Sequence, residues 1–207
     1  AEALRQTLIG ELSHRVKNML AMVQSIGSQT LRQSDTLDQF EQAFEGRLHS
    51  LARVHDLLVT ENWSGADLGQ LVRRTMEPLG RGNQITFTGP NLNVTPEVGV
   101  AMAMVLNELA TNAVKYGALS QESGRLEVTW RLDSRANGKW VELKWTETGG
   151  PTVAPPTRKG FGSTLIERSI THQLGGTIAL HFRPEGLCCD IAFPWKQLKR
   201  PRIEKET

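Results

Sequence analysis

The sequence predicts a two-domain protein: an all-α helical hairpin, then an α+β layer whose antiparallel-rich sheet carries its helices on one face. Three observations point there. In residues 1–59 apolar side chains recur at helical spacing in two long runs. From Gln84 onward, short stretches alternate apolar and polar between Gly, Pro and Asn turns. Between these regimes Glu61-Asn62-Trp63-Ser64-Gly65 keeps neither period and reads as a linker. The expected boundaries are 1–62 for the hairpin, 63–195 for the second domain and 196–207 for a loose basic tail.

The first helix is expected to run to about residue 33. Leu12, Val16, Met19, Val23 and Ile26 alternate steps of four and three, a coiled-coil-like seam. Ser34-Asp35-Thr36 offers a turn and N-cap side chains. The second helix spans about Leu37 to Val59, with Phe40, Phe44, Leu48, Leu51 and Leu58 as its apolar stripe. Two helices alone bury two stripes poorly, and a partner hairpin completing a four-helix bundle is the economical solution.

In the second domain, Asp67 to Leu79 reads as a short helix and Gly80-Arg81-Gly82-Asn83 as a turn. Gln84 to Thr88 alternates as a strand, and Gly89-Pro90-Asn91 turns the chain. Thr95 as N-cap and Pro96 in the first turn open a long helix. Strands follow near 125–133 and 139–146, joined by the hairpin signal Ala136-Asn137-Gly138. Thr148 to Lys159 lacks periodicity and reads as a flexible loop. A helix from about Gly162 to Leu174 ends at Gly175-Gly176. Two last strands, near 177–183 and 188–193, flank Pro184-Glu185-Gly186.

Composition narrows the classes. Hydrophobic residues make up 39% and charged residues 22% of the chain, which excludes a disordered protein. The net charge of +2 argues for no nucleic-acid partner, since the basic run after Lys196 is short. No apolar run approaches the roughly 20 residues of a membrane span, and no signal peptide is visible. The two cysteines, Cys188 and Cys189, are adjacent on a strand, where neighbours point to opposite faces, so they are expected to stay unpaired. A reducing, cytoplasmic location is the expectation. The chain begins inside a helical pattern, as a fragment of a longer protein would.

Four stretches carry chemistry. In Leu106 to Ser120, Glu108, Asn112 and Lys115 share one helical face, and Val98, Met102, Val105 and Leu109 at helical spacing supply an apolar stripe that can pack on a core. A carboxylate, an amide oxygen and an ammonium suit hydrated Mg²⁺ and polyphosphate; a solvated polar face is the competing interpretation. In Trp145-Thr146-Glu147-Thr148-Gly149-Gly150-Pro151, Glu147 ends a strand before a glycine turn. Its carboxylate can accept an adenine amino group, with Gly149 and Gly150 admitting a ring close to the backbone; an ordinary strand exit has the same pattern. Gly160-Phe161-Gly162-Ser163 opens a helix, where free N–H groups suit phosphate, with Arg158 and Lys159 beside it. Glu11-Leu12-Ser13-His14-Arg15-Val16-Lys17-Asn18 places His14 off the apolar seam, available as a nucleophile or simply solvated.

Taken in order, these stretches resemble the boxes of sensor histidine kinases, more narrowly the HWE family and the closely related HisKA_2 group. His14 lies in what looks like the phosphoacceptor box, Glu108 to Ser120 in the N box, Trp145 to Pro151 in an unusual G1 box, and Gly160 to Ile166 in the G2 box. One position departs: where the family name calls for a histidine before the N-box glutamate, this chain has Asn107. The likeness runs over residues 1 to about 195.

The resemblance implies a dimerisation and histidine-phosphotransfer hairpin followed by a Bergerat-type ATP-binding sandwich. It implies autophosphorylation of His14 from Mg²⁺-ATP and transfer to an aspartate of a response-regulator receiver domain. Asn112 and Glu108 would serve the metal, with Glu108 alternatively a base toward His14. Lys115, Tyr116, Gly149, Arg158, Lys159, Gly160, Gly162 and Ser163 would line the nucleotide, and Glu147 would read adenine. Asn18 matches a position used in dephosphorylating the regulator. A homodimer through the hairpin and a missing N-terminal sensor domain are further expectations. The alternatives are a phosphotransfer scaffold with a decayed ATP site, for which Asn107 is the hint, and an ATPase or serine kinase sharing the fold.

Overall fold

The computed structural model describes residues 2–32, 34–60, 65–80, 82–154 and 161–196; the side chains of some helical residues within these spans lie outside the description. Backbone packing divides the chain into two compact units, Ala1–His49 and Ser50–Thr207.

The first unit is a helical hairpin built from α1 (Glu2–Leu31) and the start of α2 (Leu37–Thr60). The turn between them is set by short polar side chains, as their sequence predicts. The Thr36 Oγ1 accepts the Gln39 N–H in the first turn of α2 at 3.3 Å, and the Gln39 Oε1 reaches back to accept the Asp35 N–H just before the helix at 3.1 Å. Ile26 and Thr30 are buried, and the Arg47 guanidinium donates across the hairpin to the Thr30 hydroxyl at 2.6 Å. Phe40 and Phe44 stack with ring centroids 5.3 Å apart. Of the expected seam, Ile26 is buried and Met19 and Val23 are half-buried, but Val16 is 47% exposed, as is Leu20 at 58%. One neighbouring helix covers one face of α1, and that face is too narrow to take the whole stripe.

The second unit is an α/β sandwich. Its elements are β1 (Ala66–Asp67), α3 (Leu68–Met76), β2 (Ile85–Thr88), β3 (Asn93–Val94), α4 (Pro96–Lys115), β4 (Arg125–Arg135), β5 (Gly138–Thr148), α5 (Phe161–Arg168), β6 (Thr177–Arg183) and β7 (Gly186–Pro194). Five strands form one sheet in the order β2-β4-β5-β7-β6. All neighbours are antiparallel except β2 and β4. That exception has a cause: α4 lies between them in sequence, and a helical crossover returns the chain in the same direction. The long β4–β5 hairpin turns through Ala136 and Asn137 into Gly138 at φ 120°, so β4 runs to Arg135, past its expected end, and β5 already starts at Gly138.

One face of this sheet is apolar. Leu126, Val128 and Trp130 of β4, Val141, Leu143 and Trp145 of β5, and Ile191 and Phe193 of β7 enter a single core with α3, α4 and α5. Each such buried side chain contributes about 1.5–3 kcal/mol. The other face is polar, with Arg131 paired to Glu142 across the register.

Helix α4 is the axis of the core. Thr95 caps it, accepting the Val98 N–H, and Pro96 occupies its first turn, as expected. It is buried on more sides than an amphipathic pattern implies, because Gly99, Ala101, Ala103, Ala110 and Ala113 let the flanking α3 and α5 approach its backbone while the sheet covers another side. The small antiparallel pair β1–β3 was not expected; strands of two residues show no periodicity. The last helix also differs. It is α-helical to Arg168 and continues as a π turn over Ser169–Gln173, then stops at Gly175 with φ 63°.

Candidate functional site

Helix α4 ends where the site begins. The Tyr116 N–H and Gly117 N–H both donate to the Asn112 carbonyl, at 2.8 and 3.0 Å, which closes the last turn. A short 3-10 turn, Ala118–Ser120, follows. Here strand β5 meets the helix end. The Glu147 carboxylate accepts the Ala118 N–H on Oε2 at 2.8 Å and the Trp145 indole N–H on Oε1 at 2.8 Å. Trp145 and Glu147 are two apart on a strand, so both face the core, and both are buried. Burial pushes the Glu147 carboxyl above its ordinary range; the Ala118 N–H and the Trp145 indole pull against that by bonding the ionised form.

Glycines let these segments touch. A Cβ on Gly117 would overlap the Glu147 carboxylate, and one on Gly150 would come within 2.7 Å of the Ala118 Cα. Gly149 has φ +69°, a conformation side chains rarely adopt, and its carbonyl accepts the Ser123 hydroxyl at 2.9 Å. The Glu147 carboxylate thus lies against the bare backbone at Gly117 and Ala118, and Gly149 and Gly150 close onto the same turn and its continuation.

Upstream on α4, Glu108 is 8% exposed, while Asn107, Thr111 and Asn112 are half-buried and Lys115 and Tyr116 are exposed. Glu108, Asn112 and Lys115 therefore graduate from interior to solvent along one face. Among the described residues, no three His, Cys, Asp or Glu side chains cluster as a metal site. A magnesium ion at Glu108 and Asn112 would draw its remaining oxygens from phosphate and water, which is how that ion is commonly held.

The comparisons with known proteins bear on this geometry. The HWE histidine kinase family model matches residues 11–91. A blue-light-activated histidine kinase of Brucella anthropi is 40% identical over 206 residues, covering 99% of this chain and 42% of that protein. The chain belongs to the HWE histidine kinase family. A protein of the same description in Brucella ovis is 39% identical over 196 residues, 94% of this HWE chain and 40% of its own length. The HWE chain thus spans about two fifths of the curated relatives it matches. Among solved structures, the histidine kinase domain of the Erythrobacter litoralis EL346 blue-light activated histidine kinase aligns with a TM-score of 0.58 and 17% identity, covering 86% of this chain and 97% of that one. That likeness shows the fold: a helical region followed by an α/β domain.

In this HWE chain the structure brings together the second and third boxes. Glu147 and Gly149 stand against the turn that follows Lys115 and Tyr116. Ser163 is half-buried in the first turns of α5, and the Gly162 backbone is helical. Arg158, Lys159 and Gly160 lie outside the described residues, as do the side chains of His14, Glu11 and Asn18, whose backbones are helical in α1. Three participants were missed in the sequence: Gly117, Ser123 and Gly124. The glycine spacing was a signal, but it had no partner in view until the fold supplied Glu147 and Gly149. No described helix is long and apolar enough to cross a membrane.

Proposed function

We propose that this chain is the catalytic core of a sensor histidine kinase, which phosphorylates His14 from ATP and passes the phosphoryl group to an aspartate of a response-regulator receiver domain. One observation carries the proposal: a buried carboxylate, Glu147, set in bare glycine backbone at the end of a helix whose polar face holds Glu108, Asn112 and Lys115. A flat base with an exocyclic amino group needs a fixed acceptor, and Glu147, held by Ala118 and Trp145, offers one.

When bound, Mg²⁺-ATP would supply the transferable phosphoryl group and its leaving group. The chain's part is positioning and charge neutralisation, which dominate phosphoryl transfer. Glu147 would accept the adenine amino N–H₂ on lone pairs beyond those used by Ala118 and Trp145. Tyr116 and Gly149 would flank the base and ribose. Asn112 and Glu108 would offer oxygens to the metal shell, and Lys115, Arg158 and Lys159 would offset phosphate charge. Gly160, Gly162 and Ser163 would present N–H and hydroxyl donors to phosphate oxygens. His14 would attack through its unprotonated ring nitrogen; Glu108, in its alternative role as base rather than at the metal, would take the proton that the other nitrogen releases.

The hairpin supports a homodimer. Val16 and Leu20 are exposed apolar residues on α1, and a second hairpin would cover them in a four-helix bundle. A sensor domain preceding α1 would drive this bundle. Two unpaired cysteines suit a cytoplasmic setting.

Labelling with [γ-³²P]ATP tests the proposal. Wild type is expected to acquire acid-labile, alkali-stable label, His14→Ala none, and Asn112→Ala little because Mg²⁺-nucleotide binding is lost. Equal labelling of His14→Ala would sink the assignment, and acid-stable label would point to a hydroxyl acceptor.

A further inference from the structure

We propose that Gln84 is a positioning residue for the nucleotide site: its buried side-chain amide clamps the 121–124 turn and thereby holds Ala118 against the Glu147 carboxylate. This rests on the nucleotide corner proposed above.

Gln84 lies just before β2, outside all four boxes, and is 5% exposed. Its Nε2 donates to the Gln121 carbonyl at 2.8 Å and the Gly124 carbonyl at 3.3 Å, with the Glu122 carbonyl at 3.5 Å. Its own carbonyl accepts the Leu126 N–H at 2.8 Å. One residue thus grips the turn through its side chain and the start of β4 through its backbone. A primary amide suits the place. It brings two N–H donors to converging carbonyl oxygens, which a carboxylate or an apolar group of similar shape lacks.

The turn so held is the back of the site. Gly124 packs directly on Ala118; a Cβ there would overlap the Ala118 carbonyl. Ser123 donates its hydroxyl to the Gly149 carbonyl at 2.9 Å, and the Gln121 N–H donates to the Ala118 carbonyl at 3.3 Å. Ala118 in turn donates to Glu147. Gln84 therefore braces from the β2 side the segment that Glu147 and Gly149 hold from the β5 side. If the brace goes, the Ala118 N–H loosens from Glu147, and the acceptor for adenine loses its fixed direction.

The test uses the full chain and Mg²⁺ with a non-hydrolysable ATP analogue, by calorimetry, beside the initial rate of self-labelling over a range of ATP concentrations, whose half-saturation and maximum stand as KM and kcat. Gln84→Met keeps the shape and removes the donors. It is expected to weaken analogue binding on the order of tenfold, the usual scale for a lost buried hydrogen bond. It should raise the KM for ATP by a similar factor and leave kcat within about twofold, with faster hydrogen exchange at the Ala118 amide. A purely structural role would lower the melting temperature without moving the KM of the folded fraction. Gln84→Glu adds a pH readout: its ionised form opposes the carbonyls, so affinity should recover as pH falls and the carboxyl regains a donor, a trend absent in Gln84→Met. Should the Gln84 variants fail to fold, Ser123→Ala, which frees the same turn from the exposed side, should raise KM without a kcat loss; an unchanged KM there overturns the proposal. Wild-type binding with unaltered affinity in Gln84→Met overturns it too. No binding by the wild type overturns the nucleotide site itself.

Discussion

Glu147 meets two opposed demands. It must be buried to be directional, and it must stay ionised to accept hydrogen bonds. Burial raises its pKa above the ordinary 4.5, and the Ala118 and Trp145 donors resist the rise. The folded chain then binds a proton more tightly than the unfolded chain. Stability is therefore lost as pH rises from the ordinary value through the folded pKa, and is flat above it. The stability of wild type minus that of Glu147→Gln, from urea unfolding between pH 4 and 8, is expected to fall across that window; a rise would contradict the direction of the shift. Trp145→Phe keeps the ring and removes the indole donor. It is expected to cost about 1–3 kcal/mol in urea unfolding and to weaken nucleotide binding most at the low end of the pH range. At this scale the sequence marked Glu147 as an acceptor beside glycines. It did not reveal that the acceptor's backbone donor is Ala118, because that contact spans 29 residues.

Helix α4 shows which features of an element are local. Its start was legible, because the Thr95 cap and Pro96 act within one turn. Thr95→Ala is expected to cost about 1 kcal/mol by thermal or urea unfolding. Its burial was less legible: alanines and glycines read as neutral in a periodic pattern, yet they admit neighbours on several sides. At the start of the β5–α5 connection, Gly149→Ala would force an unfavourable φ and bring Cβ within 2.7 Å of the Ser123 carbonyl. The expected cost exceeds about 1 kcal/mol, with loss of nucleotide binding by calorimetry. The strands β4 and β5 were legible from period-two alternation, but β1 and β3 were not. With two residues each, they exist only because Leu92, Val94 and Ala66 are buried on the same core.

The whole chain is two packing units, and they report separately. All five tryptophans, residues 63, 130, 140, 145 and 195, follow residue 49, so tryptophan fluorescence follows the second unit alone. Leu143→Ala, which empties a fully buried core position, is expected to destabilise that unit by about 2–5 kcal/mol. Fluorescence should show an early unfolding transition, while a spin or dye label on the hairpin unfolds at its wild-type midpoint. A coincident shift of both signals would show that the units unfold together.

By itself, the sequence determined the helical hairpin, the strand-rich second half, the capped start of α4 and the four polar stretches. Each depends on residues within a few positions of one another, where periodicity and capping act. Only the tertiary structure decided which stretches share a site. It set Glu147 against Ala118, closed Gly149 onto Ser123 and put the Gln84 amide behind both. Those contacts join residues 26 to 40 positions apart, and sheet register with core packing, rather than any local preference, brings them within hydrogen-bond reach.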